Sequence, residues 1–239
     1  MLIQHLRLLA RDLEAQRRFY ADVLGFAVVA YTDQALTLQT GPSRLTFVPE
    51  ARVGAAHGPY HFAFNIPFDQ VDAAKAWAAE RMQLLADRDG RSDFRNALFA
   101  SHAIYFKDAD GNIGEFIARQ RRPLSDGTGF DAATGVRGIS EIGVAVPAVP
   151  AAHAAYSAQL GPSRYGVNAE AVFAAVGDDD GMLILVQQGR LWFPDTGIPA
   201  HPLWFEAELR TASGPWRLTG PDGRVDPVVA GASGGDTPH

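Results

Sequence analysis

The feature that most constrains the fold of this chain is that its opening recurs later in the sequence. Laying Glu141 on His5 places Val144 on Leu8, Tyr156 on Tyr20, Leu160 on Leu24 and Gly161 on Gly25 without a gap. Register kept through a strand, a helix and a helix-ending glycine marks a repeated structural unit. The first copy reads as a strand up to Ala10, then Asp12 as an N-cap, then Leu13, Phe19, Tyr20, Val23 and Leu24 as an apolar stripe closed by Gly25. Short β-rich stretches follow at 26–31, 35–39 and 44–48, separated by Thr32-Asp33-Gln34 and Gly41-Pro42 turns. The unit is therefore β-α-β-β-β.

A second unit begins at Tyr60. Its strand carries His61 and stops at Pro67. Asp69 is expected to cap a helix whose buried face is Val71, Ala74, Ala78 and Met82. Strands at 103–106 and 113–118 flank the turn Asp108-Ala109-Asp110-Gly111. The pattern thus occurs twice in residues 1–118, the expected N-terminal domain. Residues 119–137 read as a linker, and the run Arg119-Gln120-Arg121-Arg122 as its solvated start. Residues 138–230 form the second, partly degenerate domain: its last unit has a strand at 203–209, little room for a helix, and Pro221-Asp222-Gly223 echoing Ala109-Asp110-Gly111. A disordered tail is expected at 231–239. The fold class is α+β, in tandem domains of paired βαβββ modules.

Two domains suit 239 residues. A net charge of −6 without a dense basic patch argues against a nucleic-acid surface. With no cysteine, disulfides, thiolate metal sites and a cysteine nucleophile are excluded. The first residues lack the pattern of a signal peptide, and no apolar run is long enough to span a bilayer. The expectation is a cytoplasmic protein acting on a small molecule, as a monomer or homodimer, without nucleic-acid or membrane partners.

Three residues carry the chemistry. His5, His61 and Glu115 are almost evenly spaced, each on a strand-like apolar segment. Two imidazoles and one carboxylate can hold one face of a divalent ion and leave the other open, the ligand set of non-haem Fe(II) chemistry; Mn, Zn or Ni also suit such donors. Glu115 is the most telling, because a carboxylate flanked by Ile113, Phe116 and Ile117 is costly to bury without a cation. His57 in Ala-Ala-His-Gly-Pro reads as a loop histidine, Asp178-Asp179-Asp180 as a solvated hairpin tip, and Trp192-Phe193-Pro194 and Trp204-Phe205 as packing.

Taken together, Ile3-Gln4-His5, Asp12-Leu13-Glu14-Ala15, the run from Phe19 to Phe26, Tyr60-His61-Phe62-Ala63-Phe64, and Ile104-Tyr105-Phe106-Lys107-Asp108-Ala109-Asp110-Gly111-Asn112 leading to Glu115 resemble the vicinal oxygen chelate superfamily. That superfamily includes glyoxalase I, the fosfomycin- and bleomycin-resistance proteins and the extradiol dioxygenases. The resemblance implies paired βαβββ modules curled around a metal-containing cleft, with His5, His61 and Glu115 on ligand positions. The matching residues of the second half are Glu141, Leu203 and Pro227, so a second site is expected to be lost. Modules pairing within each half would join His5, His61 and Glu115. Halves exchanging modules would give His61 and Glu115 the company of Glu141. The first arrangement is the expectation, since it strands no ligand.

The resemblance further implies that Tyr105 points at the substrate and helps hold a deprotonated oxygen. Extradiol dioxygenases also carry a histidine upstream of the Ile-Tyr pair, where this chain has Asn96, Ala97 and Leu98; His102 lies two residues before Ile104 and faces away from Tyr105. Ala109 replaces the usual proline of the turn. Ring-cleaving dioxygenase chemistry on a substrate with vicinal oxygens is the leading expectation. A glyoxalase- or epimerase-type lyase or isomerase and a bleomycin-resistance-type binding protein are the alternatives.

Overall fold

The structure is a computed structural model that describes residues 1–54, 58–125, 127 and 129–228. The expected tail at 231–239 and the loop histidine His57 lie outside the described residues.

The first module is β1 (Leu2–Ala10), α1 (Leu13–Arg17), β2 (Ala27–Tyr31), β3 (Leu36–Thr40) and β4 (Ser43–Pro49). Asp12 caps α1 by accepting from the amides of Glu14 and Ala15. The helix continues through a wider π-type turn at Arg18–Val23, and Gly25 closes it at a φ of +76°, where glycine is favoured. After a short helix, α2 (Glu50–Val53), the second module is β5 (His61–Ile66), α3 (Val71–Ala79), β6 (Phe94–Asn96), β7 (Ser101–Lys107) and β8 (Ile113–Arg119). Asp69 is not the cap expected of it: a short 3₁₀ turn at Phe68–Gln70 leads into α3, and the Asp69 carboxylate instead receives the amide and hydroxyl of Ser125. Val71, Ala74 and Ala78 do form the buried face.

A four-residue helix, α4 (Ala132–Gly135), precedes the third module: β9 (Ile139–Val146), α5 (Val149–Leu160), β10 (Phe173–Asp178) and β11 (Gly181–Gln187). The last keeps only strands: β12 (Phe205–Thr211), β13 (Gly214–Gly220) and β14 (Arg224–Pro227).

Strand pairing decides the architecture. β1 lies between β4, parallel, and β12, antiparallel, while β5 lies between β8, parallel, and β9, antiparallel. The first module therefore completes its sheet with the last, and the second with the third. The two curved sheets are β2-β3-β4-β1-β12-β13-β14 and β10-β11-β9-β5-β8-β7-β6, joined where Ile3 pairs with Ile139. The apolar core between sheets and helices includes Leu6, Leu8, Phe47, Phe62, Phe64, Phe116 and Ile142, all essentially without solvent exposure. The expected pairing within halves is thus corrected: β1 takes β12, not β5, as its antiparallel neighbour. Among the described residues no helix is long and apolar enough to cross a membrane.

Candidate metal centre and cavity

Ala63 on β5 stands level with Glu115 on β8 and with Glu141 on β9. Residues level across neighbouring strands share a face, as do residues two apart on one strand. His61, Glu115 and Glu141 therefore emerge together around the small methyl of Ala63. All three are buried. His61 Nε2 is 3.4 Å from Glu115 Oε2 and 3.8 Å from Glu141 Oε2, and one donor atom from each residue lies within 4.8 Å of the other two. Donors about 2.1 Å from an ion and at right angles stand about 3 Å apart. The three thus fit around a divalent ion with a small contraction, and His61, Glu115 and Glu141 can bind one.

His5 is not among them, a correction to the sequence reading. The exchange of modules carries it to the other sheet, where its Nε2 lies 2.8 Å from Thr46 Oγ1. Glu141 takes the third place. Tyr105, level with Glu115 on β7, borders the same space.

A fourth charge completes the electrostatics. Arg119 ends β8 with no solvent exposure, so the solvated linker start expected here is corrected. Its guanidinium hydrogen-bonds Glu141 Oε1, Asn65 Oδ1 and Ser140 Oγ. Burial pushes the Glu115 carboxyl well above the usual range, and the Glu141 charge pushes it further; Arg119 and the Tyr105 hydroxyl oppose this without reversing it. Burial also raises Glu141, but the facing imidazole and the Arg119 guanidinium outweigh it and hold that carboxyl below its ordinary value. Two carboxylates beside an imidazole, with a single arginine engaged by one of them, form a buried donor set that suits a cation.

His61, Tyr105, Glu115 and Glu141 line a cavity of about 380 Å³. Trp192 stacks obliquely on His61 with ring centres 5.1 Å apart. Phe193 meets Phe94 edge-on at 4.7 Å and Tyr105 at 5.5 Å. Trp192 packs where any side chain at Gly143 would intrude: a Cβ there would lie 2.5 Å from the indole. Trp192 and Phe193, read from sequence as packing residues, are walls of this cavity. His102 faces the opposite side of β7 and hydrogen-bonds Asp93, which also pairs with Lys75. The aspartate run is the tip of the β10–β11 hairpin, with Asp180 exposed and paired with Arg122; only Asp179 departs from the solvated reading, being buried and bound to Arg121 and Tyr165. Period-two alternation along Glu115, Ile117 and Arg119 was the signal that could have placed Arg119 beside the site. Nothing local marked Arg190, Phe94 or Phe193.

The fold and the site define a protein of paired βαβββ modules with a carboxylate-rich centre in one of its two sheets. Residues 2–116 match the family model of the Glyoxalase/Bleomycin resistance protein/Dioxygenase superfamily. A catechol-2,3-dioxygenase of Bacillus subtilis (strain 168) is 31% identical over 127 residues, which is 50% of this chain and 42% of that protein. The chain thus spans less than half the length of that curated relative. A solved structure from Bacillus subtilis subsp. subtilis strain 168, provisionally named a dioxygenase, aligns over 92% of this chain and 84% of its own at 13% identity, with a TM-score of 0.56. This likeness extends the shared fold through both halves. A lactoylglutathione lyase from Agrobacterium tumefaciens aligns over 48% of this chain and 92% of its own at 25% identity, with a TM-score of 0.42.

Proposed function

We propose that the chain is a metal-dependent enzyme acting on a small substrate with two adjacent oxygens, through dioxygenase-type ring cleavage. The ligands are His61, Glu115 and Glu141, and the ion is Fe(II), with Mn, Zn or Ni as other occupants. The observation that carries this reading is three convergent donors on the lining of an aromatic-walled cavity. The name of the Bacillus subtilis catechol-2,3-dioxygenase, similar over half of this chain, supports it.

An ion held there supplies a positive centre for a deprotonated vicinal diol and, as Fe(II), the electrons that oxygen chemistry needs. The remaining work falls to the protein. Arg119 fixes Glu141 through Oε1, leaving Oε2 turned toward His61. Burial, with the Glu115 and Glu141 charges adding to it, keeps the Tyr105 phenol protonated, so its hydroxyl can donate to an anionic oxygen. Trp192, Phe193 and Phe94 give the cavity aromatic walls. Burial and the Glu141 charge favour the protonated form of Glu115, and a bound ion would favour its carboxylate.

A second reading is favoured by one observation: the two carboxylates have their affinities for protons pushed in opposite directions, the usual mark of an acid/base pair. That would suit a glyoxalase-type lyase or isomerase. The same proposal places the protein in the cytoplasm as a monomer or homodimer.

The test is metal content of protein purified anaerobically without an affinity tag, followed by oxygen uptake with catechol. Stoichiometric iron and catechol-dependent uptake support ring cleavage. Bound zinc or nickel without oxygen uptake moves the assignment to the lyase or isomerase reading. No metal, even after reconstitution, leaves a ligand-binding protein of the bleomycin-resistance type.

A further inference from the structure

The cavity lining carries Glu115 and Glu141, yet it also includes two arginines, Arg95 and Arg190. In a chain with 27 acidic and 21 basic side chains, most arginines find a carboxylate, as Arg119, Arg121, Arg122 and Arg164 do around this same sheet. Arg95 and Arg190 have no carboxylate partner among the described residues. The guanidinium carbon of Arg190 lies 5.5 Å from the centre of the Phe173 ring, and its single polar contact is a long one, 3.4 Å, to the carbonyl of Leu191. Arg190 is half-buried. It is held beside an aromatic wall with most of its donors unused.

The segment that carries Arg190 is tied down. Its amide region closes a small loop through bonds from Gly189 to Ala200, Trp192 to Ile198 and Ala200 to Arg190. The same loop presents Trp192 and Phe193 to the cavity. One rigid segment therefore supplies both a flat apolar wall and a free planar cation. Flat walls select a ring, and an unpaired guanidinium selects a carboxylate or comparable anion through paired, charge-assisted hydrogen bonds.

We infer that the ligand of this cavity is a single aromatic ring bearing an acidic substituent, whose anion is received by Arg190, with the exposed Arg95 on the same lining, while the adjacent oxygens face His61, Glu115 and Glu141. This rests on the proposed function for the oxygen end only. The acid end stands on Arg190 and Arg95 alone.

The test is binding by calorimetry to the full-length, metal-reconstituted protein under nitrogen, using three probes: 3,4-dihydroxybenzoate, its neutral counterpart 4-methylcatechol, and benzoate. The acid-bearing diphenol is expected to bind on the order of ten- to a hundredfold more tightly than the neutral one. Arg190→Gln should remove that margin while leaving 4-methylcatechol within about twofold, and circular dichroism confirms that the variant is folded. Arg95→Gln should remove a smaller part of it. Equal binding of the two diphenols, equally affected by Arg190→Gln, overturns the inference and leaves the proposed function intact. Arg190-dependent benzoate binding without any binding of the diphenols upholds the acid subsite and removes the vicinal-oxygen reading. No binding of any probe rejects both.

Discussion

The two sheets use the same strand plan and differ at a few side chains. In one, Ala63, Glu115 and Glu141 form a row across three strands, with His61 two residues before Ala63. In the other, the corresponding row is Arg7, Thr46 and Glu206, with His5 two residues before Arg7. Where Ala63 leaves space, Arg7 fills it and pairs with Glu206 at 3.5 Å. Where Glu115 offers a carboxylate, Thr46 offers a hydroxyl, already engaged with His5 and Thr37. Beside His5 stands Arg44, where Ile113 stands beside His61. A histidine at the matching place on the matching strand therefore lies outside the cluster of His61, Glu115 and Glu141. The rows differ in what surrounds the histidine: around His61 a small residue leaves room and two carboxylates converge, with Arg119 taking one oxygen of Glu141, whereas around His5 Arg7 fills the room and Thr46 stands in place of a carboxylate.

The comparison can be broken most decisively at Glu115. Glu115→Ala should lose the ion altogether, an affinity loss of at least about a hundredfold, read by elemental analysis after dialysis. His5→Ala should keep full metal content. If the two variants behave alike, the distinction between the sheets fails.

Arg119 tests how the acidic row is tolerated. Arg119→Met leaves Glu141 buried without its partner and should cost about 3–5 kcal/mol in urea unfolding of the metal-free protein. The surface pair of Arg7 and Glu206 should contribute at most about 1 kcal/mol, seen with Arg7→Met in the same experiment.

The pH dependence should differ in sign between the sheets. Burial, then the Glu141 charge, raises the folded-state affinity of Glu115 for its proton. Metal-free protein should therefore gain stability as pH falls from that raised value toward about 4.5, with a slope of at most about 1.4 kcal/mol per pH unit. Glu115→Gln should abolish this gain. Burial lowers His5, so its sheet should lose stability as pH falls below about 6.5, and His5→Ala should remove that loss. Below about 4.5, Glu141, held low by His61 and Arg119 against its burial, adds a further loss on the acid side. Unfolding midpoints of the chelated protein across pH 4–8 separate these slopes. A comparably small effect is expected of His5→Ala at pH 8, where loss of the Thr46 hydrogen bond should cost about 1 kcal/mol.

Much of the fold was legible along the chain because its signals are local. Asp12, the apolar stripe and Gly25 bracket the first helix within one stretch of sequence, and the repeat at Glu141 announces the third module. His61 and Glu115 stood out because each is a costly residue on an apolar strand. Asp69 misled because a cap signature does not show that Ser125, far along the chain, will take the carboxylate. Arg119 misled because its neighbours Arg121 and Arg122 make the run look like a solvated linker. In the fold, β8 carries Arg119 inward and Asp179 and Asp180 receive the others.

By itself the sequence determined the repeating βαβββ unit, the strand faces on which His5, His61, Glu115 and Glu141 lie, and the costs that mark them. Period-two alternation and helix capping act over a few residues, so they can be read without knowing the partner. The choice between His5 and Glu141 as the third donor was made only in the tertiary structure. β1 and β9 present similar edges, and β5 can satisfy its backbone hydrogen bonds with either. Which one it joins depends on how four modules bury their helices and close both sheets at once, and that free energy belongs to the whole chain rather than to any segment of it.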